Sequence, residues 1–523
     1  MFIRATIGDL YDRCVQHYAA RVAVTCGGRS MTYAQLGESA ETLRTTLGAL
    51  GVRPKERIAF LMANCAEYVF CEYAVAKSGA TRVPLAVLLA PDDHVYMMNF
   101  AGCTTLIYHA RFTERVLAMQ PKLTTVTRLI CVGGPPPAGH LGLDDLMAQG
   151  AGRQAPPAPP VDPEDIAGIY FTGGTTGRPK GVMLSHRSWA YTYWMESFDF
   201  DIGWNETFVF TTPLTHAGGC LILPVLLRGG RCVVVDHFEP DLLLDTIARE
   251  RATSTLLVPT MIYALLDHPR LGDYDLGSLR NVLYGASVIA PERLEQAIQR
   301  FGPIFTQFYG QTEAPMALTA LPRHTHVEAT GERRLAILSS AGRATYGTEI
   351  RLLDDDGREV PAGECGEVVA RAANMMSGYL DNPEATAEAI RDGWLHTGDI
   401  GRMDEAGFIS IVDRKKDMII SGGFNIYPRE IEDVLFEHPA VKQAAVVGVP
   451  SDKWGEEVRA VVVLHEGKSA SADELISFVK ERKGSLVAPK SVVFWPAIPL
   501  TNLGKVDKKA IRTRCWEGRD RKI

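Results

Sequence analysis

The chain has 523 residues, 46% hydrophobic and 22% charged, the proportions of an ordinary folded protein and not of a disordered or fibrous one. That length exceeds one ordinary core, so a large domain with a smaller companion is expected. A net charge of −7 without a concentrated Lys/Arg stripe excludes the electrostatic footprint of a nucleic-acid binder, and ten cysteines without a C-x-x-C pair argue against a zinc site or a disulfide framework.

The opening MFIRATIGDLYDRC lacks the apolar stretch of a secretory signal, and no apolar run approaches the length of a membrane span. The last residues, Arg521-Lys522-Ile523, are not the Ser-Lys-Leu peroxisomal address. With thiols expected to stay reduced, the expectation is a cytoplasmic protein with no integral membrane segment.

Arg21–Thr25, Gly27-Gly28 and Met31-Thr32-Tyr33 predict strand, turn and strand. Leu36, Ala40, Leu43, Leu47 and Leu50 form one apolar helical face that stops at Gly51. Arg57–Met62 predicts a strand, Ala66–Lys77 a helix, and Gly79 to Leu85 a turn and a short extended piece. Such alternation argues for parallel α/β layers. The proline-rich connector Gln154–Asp162 leads into IAGIYFTGGTTGRPKGVMLSHRS, residues 166–188.

Within that stretch the apolar run Ile166–Phe171 reads as a buried strand emptying into Thr172, Gly173, Gly174, Thr175, Thr176 and Gly177, then Arg178-Pro179-Lys180. Glycines let successive backbone N–H groups converge on one anion, while threonine hydroxyls and a lysine add donors and charge. This predicts a phosphate cradle. It is not the Walker pattern, because Arg178-Pro179 separates Gly177 from Lys180 and no Ser or Thr follows the lysine.

Alternation resumes with strands at Arg231–Val235 and Thr255–Val258. Arg280–Tyr284 leads through Gly285-Ala286-Ser287 to a helix with Pro291 near its start and Gly302 past its end. Ile304–Phe308 predicts a strand ending in Tyr309-Gly310-Gln311-Thr312-Glu313. From Gly342 the texture becomes short strands and turns. A compact α+β segment follows Asp413-Arg414-Lys415-Lys416-Asp417, with a helix near Tyr427-Pro428, strands at Val441–Val447 and Arg459–Leu464, and a helix near Ala472–Lys483.

Six segments in order, from the phosphate loop to Pro499-Leu500-Thr501-Asn502-Leu503-Gly504-Lys505, make the chain resemble the adenylate-forming enzymes, and within them the acyl- and aryl-CoA synthetases. One departure is Gly173, where that family often carries serine. The resemblance implies an α/β fold: a large N-terminal domain of parallel α/β layers plus a β-rich subdomain over 1–414, a hinge at 415–416, and a small mobile α+β C-terminal domain over 417–523. It implies a ligase that forms acyl-AMP from a carboxylic acid and ATP with Mg²⁺ and passes the acyl group to coenzyme A, the small domain rotating between half-reactions. An acyl-AMP ligase loading a carrier protein, a luciferase-type oxidation of the adenylate and a catalytically silent ligand-binding relative are the alternatives, and a homodimer stays open.

The resemblance also assigns roles. Thr172 and the loop through Gly177, with Lys180, hold ATP phosphates. Tyr309 stacks near adenine in a nucleotide site shared with Gly285, Ala286, Gly310 and Gln311; Thr312 touches the α-phosphate and Glu313 helps hold Mg²⁺. Asp399, in Trp394-Leu395-His396-Thr397-Gly398-Asp399, accepts from the ribose hydroxyls, with Arg414 as a second contact. Thr172, His216, Glu313 and Lys505 form the catalytic set, Lys505 bridging carboxylate and α-phosphate. His216, in Pro213-Leu214-Thr215-His216-Ala217-Gly218-Gly219, sits beside the acid's carboxylate, and the absence of the Phe-Asp pair of amino-acid-activating relatives argues against an amino-acid substrate. Gly218, Gly219, Cys220, Gly285, Ala286 and Gly310 line the acyl pocket, and their small size is expected to leave volume for a medium-to-long or bulky cyclic acid. Lys416 is the hinge residue; Gly422, Gly423 and Phe424 line the coenzyme A tunnel. Lys508 and Lys509 are expected to be solvated surface charges.

Overall fold

The computed structural model describes residues 5–172, 179–421, 424–451, 455–485, 487–501 and 506–516. Its residues group into two compact units, one of Met1–Ile350 with Ala370–Leu395, the other of Arg351–Val369 with His396–Ile523.

The first unit is built on two sheets. In a nine-stranded sheet the parallel strands Arg231–Val234, Thr207–Phe210, Ser254–Leu257, Asn281–Gly285 and Phe305–Gln311 lie side by side in that order. Arg231–Val234, Thr207–Phe210 and Asn281–Gly285 are short and mostly apolar, as strands buried on both faces tend to be. From Thr207–Phe210 the chain crosses to one neighbour and later returns to occupy the other side, so the order reverses between Thr207–Phe210 and Ser254–Leu257. Open α/β sheets bind ligands outside the carboxyl ends of strands at such a reversal.

The eight-stranded sheet runs Gly378–Tyr379, Gly181–Ser185, Ile166–Phe171, Thr81–Pro84, Arg57–Leu61, Thr105–His109, Arg128–Val132, Leu141–Gly142. The largest core draws on both sheets and on helices Ile7–Tyr18, Tyr33–Ala49, Ala66–Lys77 and His186–Asp199. The predicted face Leu36, Ala40, Leu43 and Leu47 is wholly buried in it, and the helix stops before Gly51, whose φ of +86° suits glycine. The predicted helices Ala66–Lys77 and Pro291–Phe301 stand as read, and Gln154–Asp162 carries no helix or strand.

In the second unit, Ile409–Arg414 pairs antiparallel with the strand Trp394–Met403. Further on, Val441–Ser451 pairs antiparallel with Gly455–Leu464, Ser491–Phe494 pairs parallel with Gly455–Leu464, and helices Pro428–Phe436, Ala472–Lys483 and Lys508–Cys515 complete the expected α+β segment. Compactness therefore groups residues 351–369 and 396–414 with the C-terminal segment, where the sequence reading draws the domain boundary at 414. All ten cysteines are free, and among the described residues no helix is long and apolar enough to cross a membrane.

Candidate active site

The carboxyl ends of the parallel strands carry the expected residues. Ile166–Phe171 and Gly181–Ser185 form an antiparallel hairpin, closed at its tip by the Thr172 N–H donating to the Lys180 carbonyl at 3.0 Å. Of the predicted cradle, Gly173, Gly174, Thr175, Thr176 and Gly177 lie outside the described residues. Lys180 leaves the hairpin tip exposed.

Tyr309, Gly310 and Gln311 belong to Phe305–Gln311 itself. Gln311 pairs with Ala314, so Thr312 and Glu313 are the two residues of a tight turn at the carboxyl end of Phe305–Gln311. Gly310 is required there: a Cβ would sit 2.7 Å from the Met316 nitrogen, where Met316 itself holds a left-handed φ of +59°. Glu313 accepts a 2.7 Å hydrogen bond from the Tyr379 hydroxyl, and the Lys180 ammonium lies 4.7 Å from the centre of the Tyr379 ring. Lys180, Tyr379 and Glu313 form one chain of contacts.

His216 follows Thr207–Phe210, in the connection at the strand-order reversal, and is exposed. Next to it the glycines do not leave the expected volume. A Cβ at Gly219 would meet the Leu214 carbonyl oxygen at 2.0 Å, one at Gly218 the Thr212 hydroxyl at 2.8 Å, and one at Gly285 the Phe308 carbonyl oxygen at 2.5 Å. These positions are small because neighbouring chain fills the space, so the argument from small residues to a large acid fails. Ala286 sits beyond Gly285 with a left-handed φ of +63°, a conformation that costs a non-glycine residue energy and clusters at functional sites. Cys220 is half-buried with its thiol against the His216 carbonyl at 3.7 Å. Burial pushes that thiol up, as does the carboxyl of Glu196, itself fully buried with neither oxygen hydrogen-bonded.

In the second unit, Gly398 takes a φ of +68° and delivers Asp399 directly across from Arg414. The Asp399 carboxylate is 4% exposed, and one oxygen already accepts from the Arg414 guanidinium at 2.7 Å. The acceptor sites that this bond leaves on the carboxylate can still take hydroxyl donors. Lys416 lies in the turn Lys415–Asp417, its amine pushed down by burial. Phe424 is 55% exposed at the start of Phe424–Ile426, which pairs with Ile419–Ser421. Gly422, Gly423 and Lys505 lie outside the described residues. Lys508 is not a solvated charge: its ammonium pairs with the largely buried Glu432 carboxylate at 2.9 Å, while Lys509 is exposed as expected.

A family model described as AMP-binding enzyme matches residues 11–380, and its C-terminal companion matches 430–505. The chain belongs to the AMP-binding enzymes. This AMP-binding enzyme is 41% identical, over 99% of its length and 91% of the relative's, to a medium/long-chain fatty-acid–CoA ligase of Mycobacterium tuberculosis. It is 38% identical to a feruloyl-CoA synthase of an Amycolatopsis species, over 94% of this chain and 95% of that one. Among solved structures, an amide bond synthetase of Marinactinospora thermotolerans superposes with a TM-score of 0.87 at 34% identity, covering 96% of this chain and 99% of that one.

The donor set of this AMP-binding enzyme fits Mg²⁺ carried with a nucleotide. Among the described residues no group of three His, Cys, Asp or Glu side chains could hold an ion alone, while Glu313 offers a carboxylate in the turn after Phe305–Gln311. Mg²⁺ takes few protein ligands and completes its shell with water and phosphate oxygens. Tyr379 was invisible in the sequence because its two partners are distant in the chain.

Proposed function

We propose that this AMP-binding enzyme is an AMP-forming acid–CoA ligase working in two half-reactions. The reading is carried by kinship along nearly the whole chain to proteins named as acid–CoA ligases, 41% identity over 99% of it in one case. In the first half-reaction a carboxylate oxygen attacks the α-phosphorus of ATP and pyrophosphate leaves, giving acyl-AMP. Thr172 and the loop to Gly177 hold phosphate oxygens with Lys180, and Thr312 meets the α-phosphate. Tyr309 faces adenine, Asp399 and Arg414 take the ribose, and His216 orients the acid. Glu313 would hold a Mg²⁺ carried with the nucleotide, and that ion would supply charge neutralisation for the departing pyrophosphate. Lys505 aligns the attack and stabilises the charge that gathers at phosphorus.

In the second half-reaction the thiol sulfur of coenzyme A attacks the acyl carbonyl and AMP leaves. The small domain swings about Lys416, and Gly422, Gly423 and Phe424 line the thiol's passage; the exposure of Phe424 supports this. The acid is a medium-to-long-chain or aryl acid, a choice that rests on the relatives' named substrates, and the enzyme works in the cytoplasm.

A second reading differs only in the acceptor. The amide bond synthetase, and a fatty acid–carrier-protein ligase 33% identical over 97% of this chain, favour an amine or a carrier thiol. Pyrophosphate release and product mass, measured for acids from acetate to long-chain and aryl acids with coenzyme A, an amine or neither, decide it. Rapid turnover only with coenzyme A, and acetate slowest, is expected; amide formation, or acetate fastest, overturns the corresponding part.

A further inference from the structure

Residues 374–380 strap two parts of the site together. The Asn374 side-chain amide donates to the Pro315 carbonyl at 3.1 Å, and the Met376 N–H donates to the Glu313 carbonyl at 2.8 Å. Further along, the Ser377 N–H donates to the Met183 carbonyl at 2.8 Å and the Leu380 N–H to the Gly181 carbonyl at 2.7 Å. One end of the strap therefore holds the Glu313 turn and the other holds the outgoing arm of the phosphate hairpin. Gly378–Tyr379 completes the sheet edge in register, Tyr379 opposite Val182.

Tyr379 projects from that strap with both of its surfaces in use. Its hydroxyl donates to Glu313 Oε1 at 2.7 Å, and its ring face carries the Lys180 ammonium at 4.7 Å. Hydrogen bonds to charged groups are the strong ones, so the hydroxyl fixes the carboxylate's orientation. The ring is buried but the Lys180 side chain over it is exposed, and an exposed cation is held weakly by a ring, by about 0.5–1 kcal/mol. A phosphate oxygen outcompetes it easily.

We propose that Tyr379 is a positioning residue for adenylation: its hydroxyl sets the Glu313 carboxylate for the nucleotide-bound cation, and its ring parks the Lys180 ammonium at the hairpin tip until phosphate takes it. The proposal rests on the role given above to Glu313. Phenylalanine keeps the parking face and loses the hydroxyl; leucine loses both. The two roles are therefore separable.

The test is calorimetric binding of a non-hydrolysable ATP analogue across a Mg²⁺ titration and without Mg²⁺, alongside kcat and KM for pyrophosphate release and the unfolding temperature. Tyr379→Phe should raise the Mg²⁺ concentration for half-maximal effect on binding by about tenfold, leave Mg²⁺-free binding within about twofold and leave the unfolding temperature unmoved. Tyr379→Leu should in addition tighten Mg²⁺-free binding by roughly threefold, because the free enzyme no longer holds a contact that phosphate must displace. An unchanged Mg²⁺ dependence in Tyr379→Phe, or equal losses with and without Mg²⁺ alongside a lowered unfolding temperature, overturns the proposal. Glu313→Gln is the control: should it leave the Mg²⁺ dependence intact, the role given to Glu313 fails, whatever Tyr379 does.

Discussion

A methyl group at Gly219 has no room, because the Leu214 carbonyl oxygen lies 2.0 Å from where its carbon would be. Gly219→Ala must push apart the loop that holds His216, so adenylation should fall by roughly 10²-fold for short and long acids alike. Pyrophosphate-release rates across an acid series check this, and a selective loss of long acids would show instead that the glycine bounds open pocket. At this scale the sequence was partly legible. Glu313 and Asp399 stand in ordered motifs, and the structure puts the first at a turn and the second beside Arg414. Lys508 was misread because its neighbours in sequence are charged, whereas its partner Glu432 comes from another helix. Tyr379 had no local signal, since Glu313 lies 66 residues away.

Elements are coupled by buried polar contacts that periodicity does not register. The first helix, Ile7–Tyr18, is tied at its start to the next sheet's helix, the Ile7 N–H donating to His186 Nδ1 at 3.2 Å. That bond needs a neutral acceptor, and burial pushes the His186 pKa down to about 4. An unfolded histidine titrates near 6.5, so between these values the unfolded chain binds more protons and stability rises with pH. The stabilisation is complete above about pH 6.5 and is lost as pH falls toward 4, amounting to about 2 kcal/mol between pH 7.5 and 5. Urea midpoints at the two pH values should therefore differ less for His186→Gln than for the parent chain, and equal differences would remove His186 from the account. Strand and helix positions were readable because apolar periodicity is local. The reversal of strand order beside Thr207–Phe210 was not, since it depends on pairing between distant strands.

At the scale of the whole molecule, the function proposed above divides the two half-reactions between two arrangements of the same chain. Lys505→Ala should lose acyl-AMP formation by about 10²–10³ yet still convert supplied acyl-AMP and coenzyme A to thioester. Gly423→Leu, which narrows the thiol's passage, and Lys416→Pro, which fixes a φ that the swing must change, should do the opposite. Separate assays of each half-reaction on the three variants check this, and parallel losses in both steps would end the division of labour. Such an enzyme also makes a reactive mixed anhydride in the presence of its own ten unpaired thiols. A thiolate attacks such a carbonyl, a thiol hardly does. Cys220, half-buried with its thiol against the His216 carbonyl, is the thiol of interest, and burial pushes its pKa up, away from the thiolate. A raised thiol pKa would act as protection of the product from self-acylation, leaving the attacking sulfur to be the one on the co-substrate. Incubated with acid and ATP alone, the chain should keep its intact mass while holding acyl-AMP; a gain of one acyl group at Cys220 would show that protection failing.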